Sequence, residues 1–86
     1  MVSTREDYVV FRIYVENVEF QESIDLVAET FAGFSLYTGF GYWQGQSESM
    51  LTFEIVTDES ARLEILTLCQ KLKELNKQEV VFQYIY

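Results

Sequence analysis

Residues 8–15, YVVFRIYV, are a run of β-branched and aromatic side chains around a single arginine, which predicts a strand. One of its faces is Val9, Phe11, Ile13 and Val15; the other is Tyr8, Val10, Arg12 and Tyr14. The apolar period then changes from two to about 3.6. In residues 22–34, ESIDLVAETFAGF, Ile24, Val27, Ala28 and Phe31 stand at helical spacing, and Gly33 offers a C-terminal stop. Residues 35–44, SLYTGFGYWQ, return to strand character, with a weakening or bulge expected at Gly39 and Gly41. GQS, residues 45–47, turns the chain, and residues 48–57, ESMLTFEIVT, come back as its hairpin partner. Asp58 is a good N-cap for a helix whose apolar face is Ala61, Ile65, Leu68, Cys69, Leu72 and Leu75. Residues 79–86, EVVFQYIY, predict the last strand.

The order strand–helix–strand–strand–helix–strand over residues 1–86 predicts a single α+β domain, a ferredoxin-like βαββαβ sandwich. Such a domain has a four-stranded antiparallel sheet with both helices on one face. No proline, repeat or linker divides the chain. A monomer of this build keeps its second sheet face polar. Here both faces of the first strand are largely apolar, and in the last strand Val81 and Ile85 alternate with Val80, Phe82, Tyr84 and Tyr86. An open face of that kind is a large exposed apolar patch, so the sequence predicts a homo-oligomer whose sheets pack together, most simply as a closed ring. Chains this short bury only about 60% of their unfolded surface, which adds to the advantage of assembly.

Fourteen acids against six bases give a formal charge of −8, a field that repels nucleic acid phosphate and excludes a conventional DNA or RNA partner. Much of that charge serves to keep a chain that is 49% apolar in solution. Histidine is absent, which removes the commonest general base and the commonest transition-metal ligand. With one cysteine besides, neither a metal site nor a cofactor is expected. Cys69 has no intrachain partner and sits within a helical pattern, as a buried thiol. No apolar run is long enough for a membrane span, and the first residues lack the features of a signal peptide, so the expected compartment is the cytoplasm.

The stretch GFGYWQGQSES, residues 39–49, looks least like packing. Its glycines are too loosely spaced for a phosphate loop and precede a strand, which rules out a nucleotide phosphate cradle. In a ring of ferredoxin-like domains, YWQG followed by FEIVT is similar to the hairpin of the CutA family, within the PII-like group of trimers. That family's association with metals does not extend to a chain without histidine. The segment GYWQGQSESMLTFEIVTDESARLEI, with EVVFQYIY after it, resembles in layout the phage-encoded S-adenosylmethionine lyases, formerly described as hydrolases. These share the trimeric PII-like fold, and in them a glycine–aromatic stretch leads through a turn to a glutamate. The matching positions here are Gly41, Tyr42 and Glu48.

The resemblance implies a homotrimer, a site between subunits, S-adenosylmethionine as substrate and a role in the host cytoplasm against restriction. It implies that the substrate's own carboxylate attacks its γ-carbon, releasing methylthioadenosine and homoserine lactone. That step needs orientation and desolvation, with no metal, general base or protein nucleophile. Glu48 and Tyr37 then carry the reaction: Glu48 holds the α-ammonium, and Tyr37 meets the methionine moiety or the sulfonium. Tyr42 or Trp43 would wall the cleft, and Gln83 would hydrogen-bond the ligand. If the turn falls at residues 45–47, Tyr37 and Glu48 are roughly 20 Å apart along the ribbon. They would then act together only through a bulge or from neighbouring subunits. Each residue also has a plainer role: Glu48 as a solvated charge, Tyr37 as a sheet residue, Gln83 as an interface hydrogen bond, Tyr42 and Trp43 as packing, and Arg12 as an ion-pair partner of Glu54. Two other functions remain open, a non-catalytic PII-like or CutA-like module that binds a small ligand, and an acidic phage inhibitor.

Overall fold

Strand β1, Tyr8–Glu16, buries Val9, Phe11, Ile13 and Val15 and leaves the residues between them more exposed. That alternation is the pleat acting on a run whose two faces differ in what covers them. The computed structural model describes residues 8–85. After β1 come α1 (Phe20–Thr30), β2 (Ser35–Trp43), β3 (Gln46–Asp58), a 3-10 turn (Glu59–Ala61), α2 (Arg62–Asn76) and β4 (Val80–Tyr84). The sheet order is β2-β3-β1-β4, and every neighbouring pair is antiparallel. β1 and β2 are therefore parallel with β3 between them, and β3 and β4 are parallel with β1 between them. These are two interleaved split βαβ units, the ferredoxin-like fold expected from the element order.

The core lies between the sheet and the helices. Phe11, Ile13, Leu51, Phe53 and Ile55 from the central strands meet Val27 of α1 and Ile65, Leu68 and Leu72 of α2. Phe34 sets its ring edge-on to Phe53 at 5.8 Å, and Tyr84 closes one end of the sheet against Phe11 at 5.5 Å. The Arg62 guanidinium lies 5.2 Å from the Tyr84 ring centre, a cation–π contact at the start of α2.

A buried polar contact ties the helices together. Asn76, the last residue of α2, accepts a hydrogen bond from the Glu19 amide at 2.8 Å and donates to Ser23 Oγ at 3.0 Å. Glu19 provides no side-chain cap for α1, so Asn76 satisfies that orphan amide from the other helix. Asp58 caps the 3-10 turn before α2 by accepting from the Ser60 amide and hydroxyl.

Several expectations are corrected. Helix α1 starts at Phe20 and ends at Thr30, before Gly33, which has no left-handed backbone. Phe31 is already extended, and Ala28 is exposed instead of facing the core. Gly39 and Gly41 form no bulge: they pair in regular register with Met50 and Glu48. β3 starts two residues earlier than expected, because the turn is Gln44–Gly45. Gln44 and Gly45 have φ of 50° and 78°, the two positive values of a type I′ turn, whose twist suits a two-residue hairpin. Cys69 is half-buried, and burial pushes its thiol up to about 11. The last strand is shorter than expected, Val80–Tyr84, with Glu79 and Ile85 outside it; Tyr86 lies outside the described residues.

Candidate functional site

The turn at Gln44–Gly45 sets which side chains share a face. Leu36 lies opposite the buried Phe53, so Leu36, Thr38, Phe40 and Tyr42 point to the helix side of β2. Tyr37, Gly39, Gly41 and Trp43 take the open side. Opposite them on β3 are Thr52, Met50, Glu48 and Gln46. The result is a notch on the open sheet face. Its ends are Tyr37 and Trp43, its floor is the backbone of two glycines, and one flank is Met50 and Glu48. Space above Gly39 is empty, while the Met50 side chain leans over Gly41, where a Cβ would meet its Cγ at 3.1 Å. A glycine pair in a strand is where another group can approach the backbone closely.

The electrostatics of the notch are simple. Glu48 is half-buried, and the sole base of the described strands, Arg12, is engaged elsewhere. Arg12 Nε donates to Glu54 Oε2 at 2.7 Å, the cross-strand pair expected from the sequence. Glu54 and then Tyr14 hold the guanidinium more firmly protonated than usual. A lone carboxylate among aromatic rings and a thioether favours a cation, which is also attracted to the faces of Tyr37 and Trp43.

The predicted residues are brought together only in part. Glu48, Tyr37 and Trp43 share the notch. Tyr37 is opposite Thr52, so it lies four strand positions from Gly41, the partner of Glu48. That is about 14 Å, shorter than the turn at residues 45–47 implied and still too far for both to grip one amino-acid tail. Tyr42 points to the other face of the ribbon from Trp43, so the two do not form one wall within a subunit. Gln83 is on β4, at the far edge of the sheet, opposite Arg12. Its Oε1 accepts from the Tyr14 hydroxyl at 3.2 Å, an exposed contact. Met50 was not singled out from the sequence. Its place two residues after Glu48, on the same face of a strand, was the available signal.

Surface hollows lie away from the notch. One, of about 370 Å³, lies beside the end of α2 among Gln70, Lys73, Glu74, Lys77, Gln78 and Glu79. Two others of about 240 Å³ are lined mainly by the helices. Among the described residues, no group of three His, Cys, Asp or Glu side chains converges on a point where a metal ion could sit. No described helix is long and apolar enough to cross a membrane.

No protein-family model and no curated protein matches this chain. Among solved structures, a DUF3240-family protein from Shewanella baltica is similar over 94% of this chain and 92% of its own, with a TM-score of 0.72 and 19% identity. An unknown protein from Galdieria sulphuraria covers 100% of this chain with 55% of its own length, at a TM-score of 0.69 and 13% identity. The de novo designed protein Foldit4 aligns over 92% of this chain and 94% of its own, at a TM-score of 0.55 and 16% identity. At such identities the likeness establishes the ferredoxin-like α+β fold and carries nothing about ligand or chemistry.

Proposed function

We propose that this chain binds a small cationic metabolite on its open sheet face, with S-adenosylmethionine as the ligand and its cleavage as the reaction. The observation that carries the reading is Glu48, half-buried beside a glycine-floored notch between Tyr37 and Trp43, with the one nearby strand base already paired to Glu54. A sulfonium and an α-ammonium are the two positive centres of this ligand; Glu48 is matched to the ammonium and the nearer ring, Trp43, to the sulfonium. The notch is open on one side, so a second copy of the chain would complete it and bring Gln83 or Tyr42 to the ligand. The lyase layout resembled by the hairpin implies a trimer.

In the reaction, a bond forms between a carboxylate oxygen of the substrate and its own γ-carbon. The bond from that carbon to sulfur breaks, and its electron pair goes to sulfur. Homoserine lactone and methylthioadenosine leave, and no proton is transferred. Glu48 contributes by holding the ammonium so that the tail is bent for attack. Exclusion of water by the second copy raises the reactivity of the carboxylate. If the chain is phage-borne, the setting is the host cytoplasm, where loss of the methyl donor disarms restriction–modification.

Incubation with S-adenosylmethionine, followed by chromatography for methylthioadenosine, tests the reading. Glu48→Gln is expected to lower turnover by at least about 100-fold, the scale of losing one positioning charge, with the oligomer intact. Calorimetric binding without product would replace the lyase with a PII-like binding module. Neither binding nor product would sink both.

A further inference from the structure

The hairpin outruns the rest of the sheet. β1 covers β3 over residues 50–58, whereas β2 covers it over residues 46–54. The last support is Asn17, whose amide donates to the Ser49 carbonyl at 2.8 Å and whose side chain donates to Ser49 Oγ at 3.3 Å. Beyond that point residues 40–49 form a ribbon of two strands only. Such a ribbon is marginal by itself in water. This one carries aromatic rings on both sides: Phe40 is 75% and Tyr42 78% exposed on one, and Trp43 68% exposed on the other.

We infer that this ribbon is an assembly arm that packs on a second copy of the same chain, along the edge of β2. Three observations select a second copy as the occupant. The first is area. Each aromatic side chain offers roughly 150–250 Å², so the three rings and Tyr37, 55% exposed, present roughly 550 Å² of apolar surface. A standard interface takes about 800 Å² from each partner, so the arm with its flanking strand edge supplies most of one.

The second is charge. In a chain of net charge −8, two copies repel each other wherever their acids face. Of the eight exposed acids among the described residues, Glu22, Asp25, Glu29, Glu64 and Glu74 lie on the helices. Asp58 ends β3, Glu59 follows it and Glu79 just precedes β4, whereas residues 40–49 hold only the half-buried Glu48. The arm is thus a surface that an equally anionic copy can approach, and a polyanion gains nothing there. The third is the edges. Both edge strands, β2 (Ser35–Trp43) and β4 (Val80–Tyr84), have no charged residue and no proline, the usual defences against pairing. Each copy therefore carries two undefended edges on opposite sides of its sheet, and Val81 on β4 is 61% exposed. Copies joined edge to edge, head to tail, leave no free edge once the ring closes.

The inference does not depend on the ligand. Trp43 is the sole tryptophan, so its emission reports the arm alone. Light scattering on the full chain is expected to give at least twice the monomer mass of 10.1 kDa, with blue-shifted Trp43 emission that moves to the red on dilution. Phe40→Ser combined with Tyr42→Ser alters only exposed positions. It should yield a monomer with red-shifted emission and unchanged circular dichroism. A wild-type protein that stays monomeric at its highest attainable concentration overturns the inference, as does an oligomer whose mass and Trp43 emission the double substitution leaves unchanged. If S-adenosylmethionine fails to bind an oligomer that behaves as expected, only the ligand reading falls.

Discussion

Asn76 shows how much one polar side chain can hold. It serves α1 through the Glu19 amide and Ser23, and it returns to its own helix by donating to the Leu72 carbonyl at 3.0 Å. Asn76→Ala leaves a part-buried amide and a buried hydroxyl without these partners, so a loss of about 2–3 kcal/mol is expected from urea unfolding. Cys69 offers a second test. Because burial raises its thiol to about 11, the folded state favours the protonated form. Its contribution to stability is present below the ordinary thiol value and is lost as pH rises from about 9 to 11. A disulfide reagent at pH 8 should label Cys69 slowly in the native protein and at the normal rate in denaturant; equal rates would contradict this burial. Neither residue could be ranked this way from the sequence, where Asn76 was the end of a helix and Cys69 one more apolar position.

Among the elements, the β2–β3 hairpin departs most from its sequence reading. Two glycines in a strand and a GQS triplet pointed to a bulged ribbon with a turn after Gln44. The ladder is regular because the alternation in β3 locks Leu51, Phe53 and Ile55 onto the core, and a slip of one residue would turn all three outward. The turn then has to close over Gln44–Gly45, which puts a non-glycine residue at φ 50°. Left-handed backbone costs an ordinary residue about 1–2 kcal/mol, and asparagine tolerates it better. Gln44→Asn is expected to raise the stability by about 0.5–1 kcal/mol in thermal or urea unfolding, with no change in register. A loss of stability would mean that Gln44 makes a contact that the turn conformation does not explain. The helices needed less correction, since their apolar faces come from spacing: the ends of α1 moved, Ala28 left its core face, and α2 began only after a 3-10 turn.

For the molecule as a whole, charge and assembly pull against each other. Fourteen acids and six bases impose self-repulsion that an arm carrying a single acid has to overcome. At the N-terminus of α1, Glu22 raises the Glu19 carboxyl above its ordinary range, first by a hydrogen bond and then by repulsion. The sign follows: protonation of Glu19 favours the folded state, and that contribution is lost as pH rises through the raised value. Added salt screens the remaining repulsion. Raising sodium chloride from low concentration to about 0.5 M should therefore lift the thermal midpoint by a few degrees and increase the oligomer fraction in sedimentation. A fall in both would show that ion pairs such as Arg12–Glu54 outweigh the net charge.

Element types, their order and the ferredoxin-like sandwich followed from local pattern, because a period of two or of about 3.6 states directly which face of a segment is buried. The Arg12–Glu54 pair was legible for the same reason, as the two charges interrupt apolar strands that had to be neighbours. The candidate site was legible only as residue types. Whether Glu48 meets Tyr37, or Tyr42 meets Trp43, depends on which strand positions face each other and where the turn closes. Those are decided by packing between segments distant in sequence. The free length of the arm belongs to the same class: it arises because β1 and β2 cover different stretches of β3, a relation among three strands that no one of them contains.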